Sequence, residues 1–227
     1  MLTHAPRAAD RRYGPAVARG RLITIEGLDG AGKTTLAGGL VEAIAARGPV
    51  VELLREPGGV AASERMRTLV KDPDLRVGAR AEALLYAAAR AQLVEERVEP
   101  LLEAGTWVLL DRFVDSSLAY QGAGRRLGME AVRAINAFAT GGLEADRTLL
   151  LRIQPQTGRH RQHARAEAPD RLELENEDFF ATIATAYDVL AAGEPRRVRV
   201  IDAAADVGPV LAEALAAIDD LLPARGD

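Results

Sequence analysis

The chain has 227 residues, 48% of them hydrophobic and 27% charged, with a formal net charge of −4 and no cysteine. That length is enough for one domain with a full core, and the charge balance gives no reason to expect a nucleic-acid surface. The missing thiols exclude disulfides, thiolate metal sites and cysteine nucleophiles, and no apolar run reaches the ~20 residues that span a bilayer.

Residues 1–20, MLTHAPRAADRRYGPAVARG, have no apolar stretch of the secretory kind and read as a flexible extension, with an organellar transit peptide the alternative that Asp10 and the short length fit poorly. A single domain is expected over 21–223, in a cytoplasmic protein. Short β-rich runs then alternate with helical stretches. Strands are expected at 21–26, 49–55, 106–110, 147–153 and 198–202, all continuous apolar runs suited to a parallel sheet buried on both faces. Helices are expected at 33–47, 60–71, 79–104, 128–140, 176–192 and 206–221. The last carries Val210, Leu211, Ala214, Leu215 and Ile218 at helical spacing. This alternation predicts an α/β fold with right-handed crossovers. Residues 154–175 differ, being Arg-rich without an apolar stripe, and read as a flap or lid.

Between the first strand and first helix lies GLDGAGKTT, residues 27–35. It fits G-x-x-x-x-G-K-[ST] in the strand-to-helix context the motif requires. Glycines let successive N–H groups turn inward onto phosphate oxygens, and the following helix adds its positive end. Gly27, Leu28, Asp29, Gly30, Ala31, Gly32, Lys33, Thr34 and Thr35 are therefore the expected ATP-binding loop. Lys33 reaches the β- and γ-phosphates and the Thr34 hydroxyl ligates Mg²⁺. Only Lys33 and Lys71 are lysine among 29 basic residues, so an ammonium in the loop departs from the chain's preference for arginine. Asp111, ending the run TWVLLD, is the second expected metal ligand. A regulatory GTPase would need a guanine-reading N-K-x-D, which is absent, and the transporter signature L-S-G-G-Q is absent too. Both readings are weakened, and the rest of the chain favours a third class, a small-molecule kinase.

REPGG (55–59), LLYAAARAQLVEE (84–96), DRFVDSSLAYQGAGR (111–125) and DRLELENEDFF (170–180) follow the loop in order. Together they resemble the bacterial-type thymidylate kinases of the P-loop nucleoside monophosphate kinase group, over residues 21 to 205. The resemblance implies a three-layer fold with a five-stranded parallel sheet flanked by helices, a mobile lid over about 154–171, and a homodimer. It implies transfer of the ATP γ-phosphoryl group to dTMP, with no nucleic-acid or membrane partner. Tyr86 would stack on thymine and Arg90, four residues on and so on the same helical face, would donate to O4. The family more often has phenylalanine where this chain has Tyr86. Arg112 would hold the acceptor phosphate, Ser117 and Gln121 line the base, and Tyr120 lie near the sugar. Arg55, Glu56 and Arg67 would surround the monophosphate, and Asp29 would position the acceptor. With Gly30 bare, the cations for the transferring group would come from the lid: Arg159, Arg161 and Arg165. No general base is expected, and His4, His160 and His163 lie in the tail and flap. The competing expectations are a related kinase with another or relaxed base choice, and a silent nucleotide-binding protein.

Overall fold

A computed structural model describes residues 18–164 and 169–223. Five parallel strands, β1 (Leu22–Gly27), β2 (Val51–Arg55), β3 (Trp107–Asp111), β4 (Arg147–Arg152) and β5 (Val198–Asp202), form one sheet in the order β2-β3-β1-β4-β5. All five sit within two residues of where the apolar runs place them. The three central strands are the most buried, because helices cover both their faces. β2 and β5 are the edges, and there Leu53 and Arg199 turn outward.

The helices are α1 (Lys33–Ala45), α2 (Ala61–Lys71), α3 (Ala79–Leu93), α4 (Glu99–Glu103), α5 (Val114–Ser117), α6 (Met129–Ala139), α7 (Pro155–His163), α8 (Glu177–Gly193) and α9 (Val207–Ile218). On one face, Ile23, Ile25, Leu149 and Leu151 meet Leu36, Leu40 and Ile44 of α1 and Ala214 and Ile218 of α9. On the other, Leu22, Val108 and Leu110 meet Leu93, while Leu150 meets Ile183 and Tyr187 of α8.

Three stretches depart from the sequence expectation. The helix expected over 79–104 is broken by a π-helical turn, Val94–Val98, just before Pro100. Proline has no N–H for the α-helical ladder, and a widened turn accommodates that loss. Residues 114–124 form α5 and a second π-helical stretch, Leu118–Gly124, where no helix was expected. Their Ser, Tyr and Gly content is poor for helices, so tertiary contacts decide here. Within the lid segment, Pro155–His163 is helical although it has no apolar stripe.

β1 is flanked by β3 on one side and β4 on the other, so the chain changes direction across the sheet there. The carboxyl ends of strands at such a switch point form the binding crevice of open α/β sheets. β1 ends at Gly27, β3 ends at Asp111, and β4 leads into α7.

Candidate active site

The glycine-rich loop and α1 are built for an anion. Gly32 precedes α1 with a left-handed φ of 94°, no side chain caps the helix, and its first turn holds no acidic residue. The uncapped N–H groups and the positive helix end are thus open to a ligand. Lys33 folds back on the loop, donating to the Gly27 and Leu28 carbonyls at 3.2 and 3.0 Å. Burial, with Arg112 nearby, pushes its ammonium down from the usual 10.5 to about 8.

Arg112 follows β3 with a φ of 70°, a left-handed conformation uncommon for a residue with a side chain. Its Nη1 donates to the Gly27 carbonyl and to Ser116 Oγ at 3.2 and 3.1 Å, and its Nη2 pairs with Asp29. The guanidinium carbon lies 5.1 Å from the centre of the Tyr120 ring, whose hydroxyl donates to Asp29 at 3.2 Å. Burial works against the Asp29 carboxylate, but Arg112 and Lys33 outweigh it and hold the carboxyl well below its usual range. Asp29, Arg112 and Tyr120 therefore form one charged unit beside the loop.

Arg90 lies across the same cavity and is almost fully buried. It donates to Glu56 at 2.7 Å, Ser117 Oγ at 2.9 Å, the Phe113 carbonyl at 2.8 Å, and Asn136. Its donors are thus committed to protein acceptors, which fixes the planar head rigidly. Burial raises the Glu56 carboxyl, with Arg90 opposing that shift. Arg67 donates to the Pro57 carbonyl at 2.9 Å, and Arg55 pairs with Glu64 at 2.9 Å.

One cavity collects Asp29, Gly30, Gly32, Lys33 and Thr34 of the loop with Arg55, Glu56, Arg67, Tyr86, Arg90, Asp111, Arg112, Ser117, Tyr120 and Gln121. No described residue takes the Tyr86 hydroxyl. Asp111 Oδ1 is buried without a partner, and Thr34 borders the same space. No group of three or more potential ligands of the His, Cys, Asp or Glu type occurs among the described residues. A hard cation held by one carboxylate, a hydroxyl and phosphate oxygens fits this donor set.

Of the lid arginines, Arg159 and Arg161 do not line that cavity. Arg159 stacks 5.6 Å from the Phe180 ring centre and keeps a buried Nη1 with no partner. Arg161 donates to the Ala203 carbonyl at 3.1 Å. Arg165 lies outside the described residues. What α7 does bring to the loop is Gly158. A Cβ on Gly30 would lie 2.2 Å from the Gly158 oxygen, and one on Gly158 would lie 2.6 Å from the Asp29 oxygen. A side chain at Gly30 would thus meet the α7 backbone, and its left-handed φ of 79° favours glycine as well.

Sequence reading missed Glu26, although an acid inside the apolar run LITIEG was a signal. It is fully buried and accepts from the Phe113 and Ser116 N–H groups at 2.7 and 3.2 Å, from Ser116 Oγ at 2.5 Å and from Tyr187 at 2.9 Å. It thereby fixes the backbone just after the strained Arg112. Burial, with Asp115 adding to it, raises the Glu26 carboxyl from 4.5 to about 7. Asn136 was missed too, because only the fold brings it to Arg90.

With this geometry in hand, similarity to known proteins is extensive. The Thymidylate kinase family model matches residues 25–214. The thymidylate kinase of Halorhodospira halophila is 43% identical over 210 residues, covering 92% of this chain and 98% of that one. That of Enterococcus faecalis is 47% identical over 188 residues, covering 82% and 89%. The crystal structure of thymidylate kinase from Ehrlichia chaffeensis superposes with a TM-score of 0.73 at 25% identity, covering 88% of this chain and 99% of that one. A phosphate loop, a buried arginine opposite it and a matching five-stranded sheet thus coincide with close sequence kinship, and the chain belongs to the thymidylate kinase family.

Proposed function

We propose that the chain moves the γ-phosphoryl group of ATP onto dTMP, giving dTDP and ADP. The observation that carries this is the single cavity joining the phosphate loop to Arg112 on one side and to Tyr86, Arg90 and Gln121 on the other. A donor triphosphate and an acceptor monophosphate can then meet without leaving the protein. The acceptor's second pKa of about 6 leaves its phosphate largely dianionic at neutral pH, so no base is needed to make the nucleophile. Catalysis reduces to positioning and charge neutralisation. Lys33 leaves the Gly27 and Leu28 carbonyls for the β- and γ-phosphate oxygens. Arg112 holds the acceptor phosphate, with Asp29 and Tyr120 fixing its plane, and Tyr120 closes off the space beside the sugar. Arg55, Glu56 and Arg67 border the monophosphate. Tyr86 stacks on the base, and an Arg90 donor passes from Ser117 to O4.

Thr34 and Asp111 would hold Mg²⁺, which draws negative charge off the phosphates when bound. Residues 154–171 act as a lid, with α7 its described helix. Of the two described lid arginines, Arg159, carrying an unpartnered Nη1, is the one more readily released toward the γ-phosphate. A homodimer is supported by exposed Leu69, Leu84 and Phe138 on α2, α3 and α6, since α3 packs on both of the others. No described helix is long and apolar enough to cross a membrane, which accords with a cytoplasmic enzyme.

ADP release from ATP is expected to depend on added dTMP and to be lost in Lys33→Ala; release without dTMP, or none with it, overturns the reading. Lys33 also sets a pH dependence. ATP binds the protonated ammonium, and that form is depleted as pH rises through about 8. Affinity should therefore be full below that value and fall by up to about tenfold per pH unit above it. Calorimetric titration from neutral to alkaline pH checks this, and a flat profile contradicts it.

A further inference from the structure

Glu82 opens α3 one turn before Tyr86, and nothing in its sequence neighbourhood singles it out. In the structure it is fully buried and at the centre of a polar cluster. Its Oε2 pairs with Arg171 Nη1 at 2.7 Å and with Arg125 Nη2 at 3.1 Å. Its Oε1 accepts from Arg125 Nε at 3.2 Å and from Gln121 Nε2 at 2.9 Å. Two guanidiniums supply the counter-charges that a carboxylate buried in the interior needs.

The Gln121 contact has a chemical consequence. A carboxylate facing two arginines only accepts hydrogen bonds, so it can be met by the NH₂ end of the Gln121 amide and not by its oxygen. Gln121 is itself almost fully buried and borders the cavity beside Tyr86 and Arg90. With Nε2 committed to Glu82, Oε1 is the end left for a ligand, and no described residue donates to it. Thymine offers a donor at N3 and an acceptor at O4. Cytosine has the reverse, a lone pair at N3 and an amine at position 4. An oxygen held toward N3 accepts from thymine and repels cytosine, and buried polar groups left unpaired are what make such rejection strong.

We infer that Glu82 is a positioning residue for base selection: it locks the Gln121 amide so that its carbonyl, and not its NH₂, reads N3 of the acceptor base. Arg125 and Arg171 hold the carboxylate in place. The inference rests on the reading of dTMP as acceptor.

The test uses Glu82→Gln, which keeps the shape. Its single acceptor oxygen is claimed by the two guanidiniums, so the new amide presents NH₂ to Gln121 and turns the Gln121 oxygen away from the base. The ratio of kcat/KM for dTMP to that for dCMP should fall on the order of tenfold, with KM for ATP unchanged. In a Gln121→Ala background the same substitution should leave the ratio where Gln121→Ala alone puts it, because the effect passes through that amide. An unchanged ratio in the single variant, or an equal fall in both backgrounds, overturns the inference. Should Glu82→Gln fail to fold, Glu82→Asp serves the same test, since it keeps the charge for both arginines while drawing the oxygen back from Gln121. A parent enzyme that does not prefer dTMP to dCMP overturns the reading of the site and this inference with it. A parent preference that survives in the variants sinks the inference alone.

Discussion

Replacing Arg112 by alanine should raise KM for dTMP on the order of 10²-fold while changing KM for ATP by less than about threefold, since charged hydrogen bonds contribute about 1.5–3 kcal/mol each. The asymmetry follows from geometry. Arg112 touches the loop at the Gly27 carbonyl and at the Asp29 side chain, and its Nη2 face meets that carboxylate and Tyr120, on the side proposed for the acceptor. Removing it also leaves Asp29 without its principal counter-charge, so an anion would then oppose an incoming phosphate. The fold should tolerate the loss, because the backbone there is held independently: the Arg112 N–H donates to Ile25 at 3.0 Å and the Phe113 N–H to Glu26 at 2.7 Å. Steady-state kinetics with each substrate varied in turn decides the matter. Equal losses for ATP and dTMP would remove Arg112 from the acceptor side.

Gly158→Ala should lower kcat by about 10- to 100-fold, because misplacing a catalytic element by an ångström costs on that order. On helix propensity alone the change should help α7, since alanine is about 1 kcal/mol better than glycine in a helix interior. Yet the new Cβ would lie 2.6 Å from the Asp29 carbonyl oxygen, which is backbone and has little freedom to yield. α7 would then stand off the phosphate loop, and the proposed movement of its arginines toward the transferring group would fall short. A variant with unchanged or higher thermal stability and a low kcat is the expected combination. A kcat within about twofold of the parent would show that close contact between α7 and the loop is dispensable.

These two residues also show what was readable beforehand. Arg112 was legible because it belongs to a contiguous stretch, DRFVDSSLAYQGAGR, as was the loop, where spacing alone implies a phosphate. Tyr86 and Arg90 were named through the family resemblance of LLYAAARAQLVEE, and their spacing of four puts both on one helical face. Gly158 was not, since a small residue in an Arg-rich segment has no meaning until the fold sets it against Gly30. The absence of a side chain at Gly30 was noticed as a missing cation, and the structure adds a steric cause. Glu26 and Glu82 escaped because their roles lie in partners 87 and 39 positions away. Arg90 borders the cavity, but its full set of protein acceptors could not be foreseen, because Asn136 joins it only through the packing of α6 on α3. The strands read well because buried parallel strands are continuous apolar runs. The helical stretch 114–124 read poorly because long-range contacts, not local propensity, hold it.

The most direct test of the central claim is ADP release measured with dTMP, dUMP, dCMP, dGMP and dAMP as alternative acceptors. The account predicts that dTMP has the highest kcat/KM and that dCMP is rejected strongly, since its amine meets the Arg90 donors and its N3 meets the Gln121 oxygen. Comparable turnover of dTMP and dCMP would contradict it.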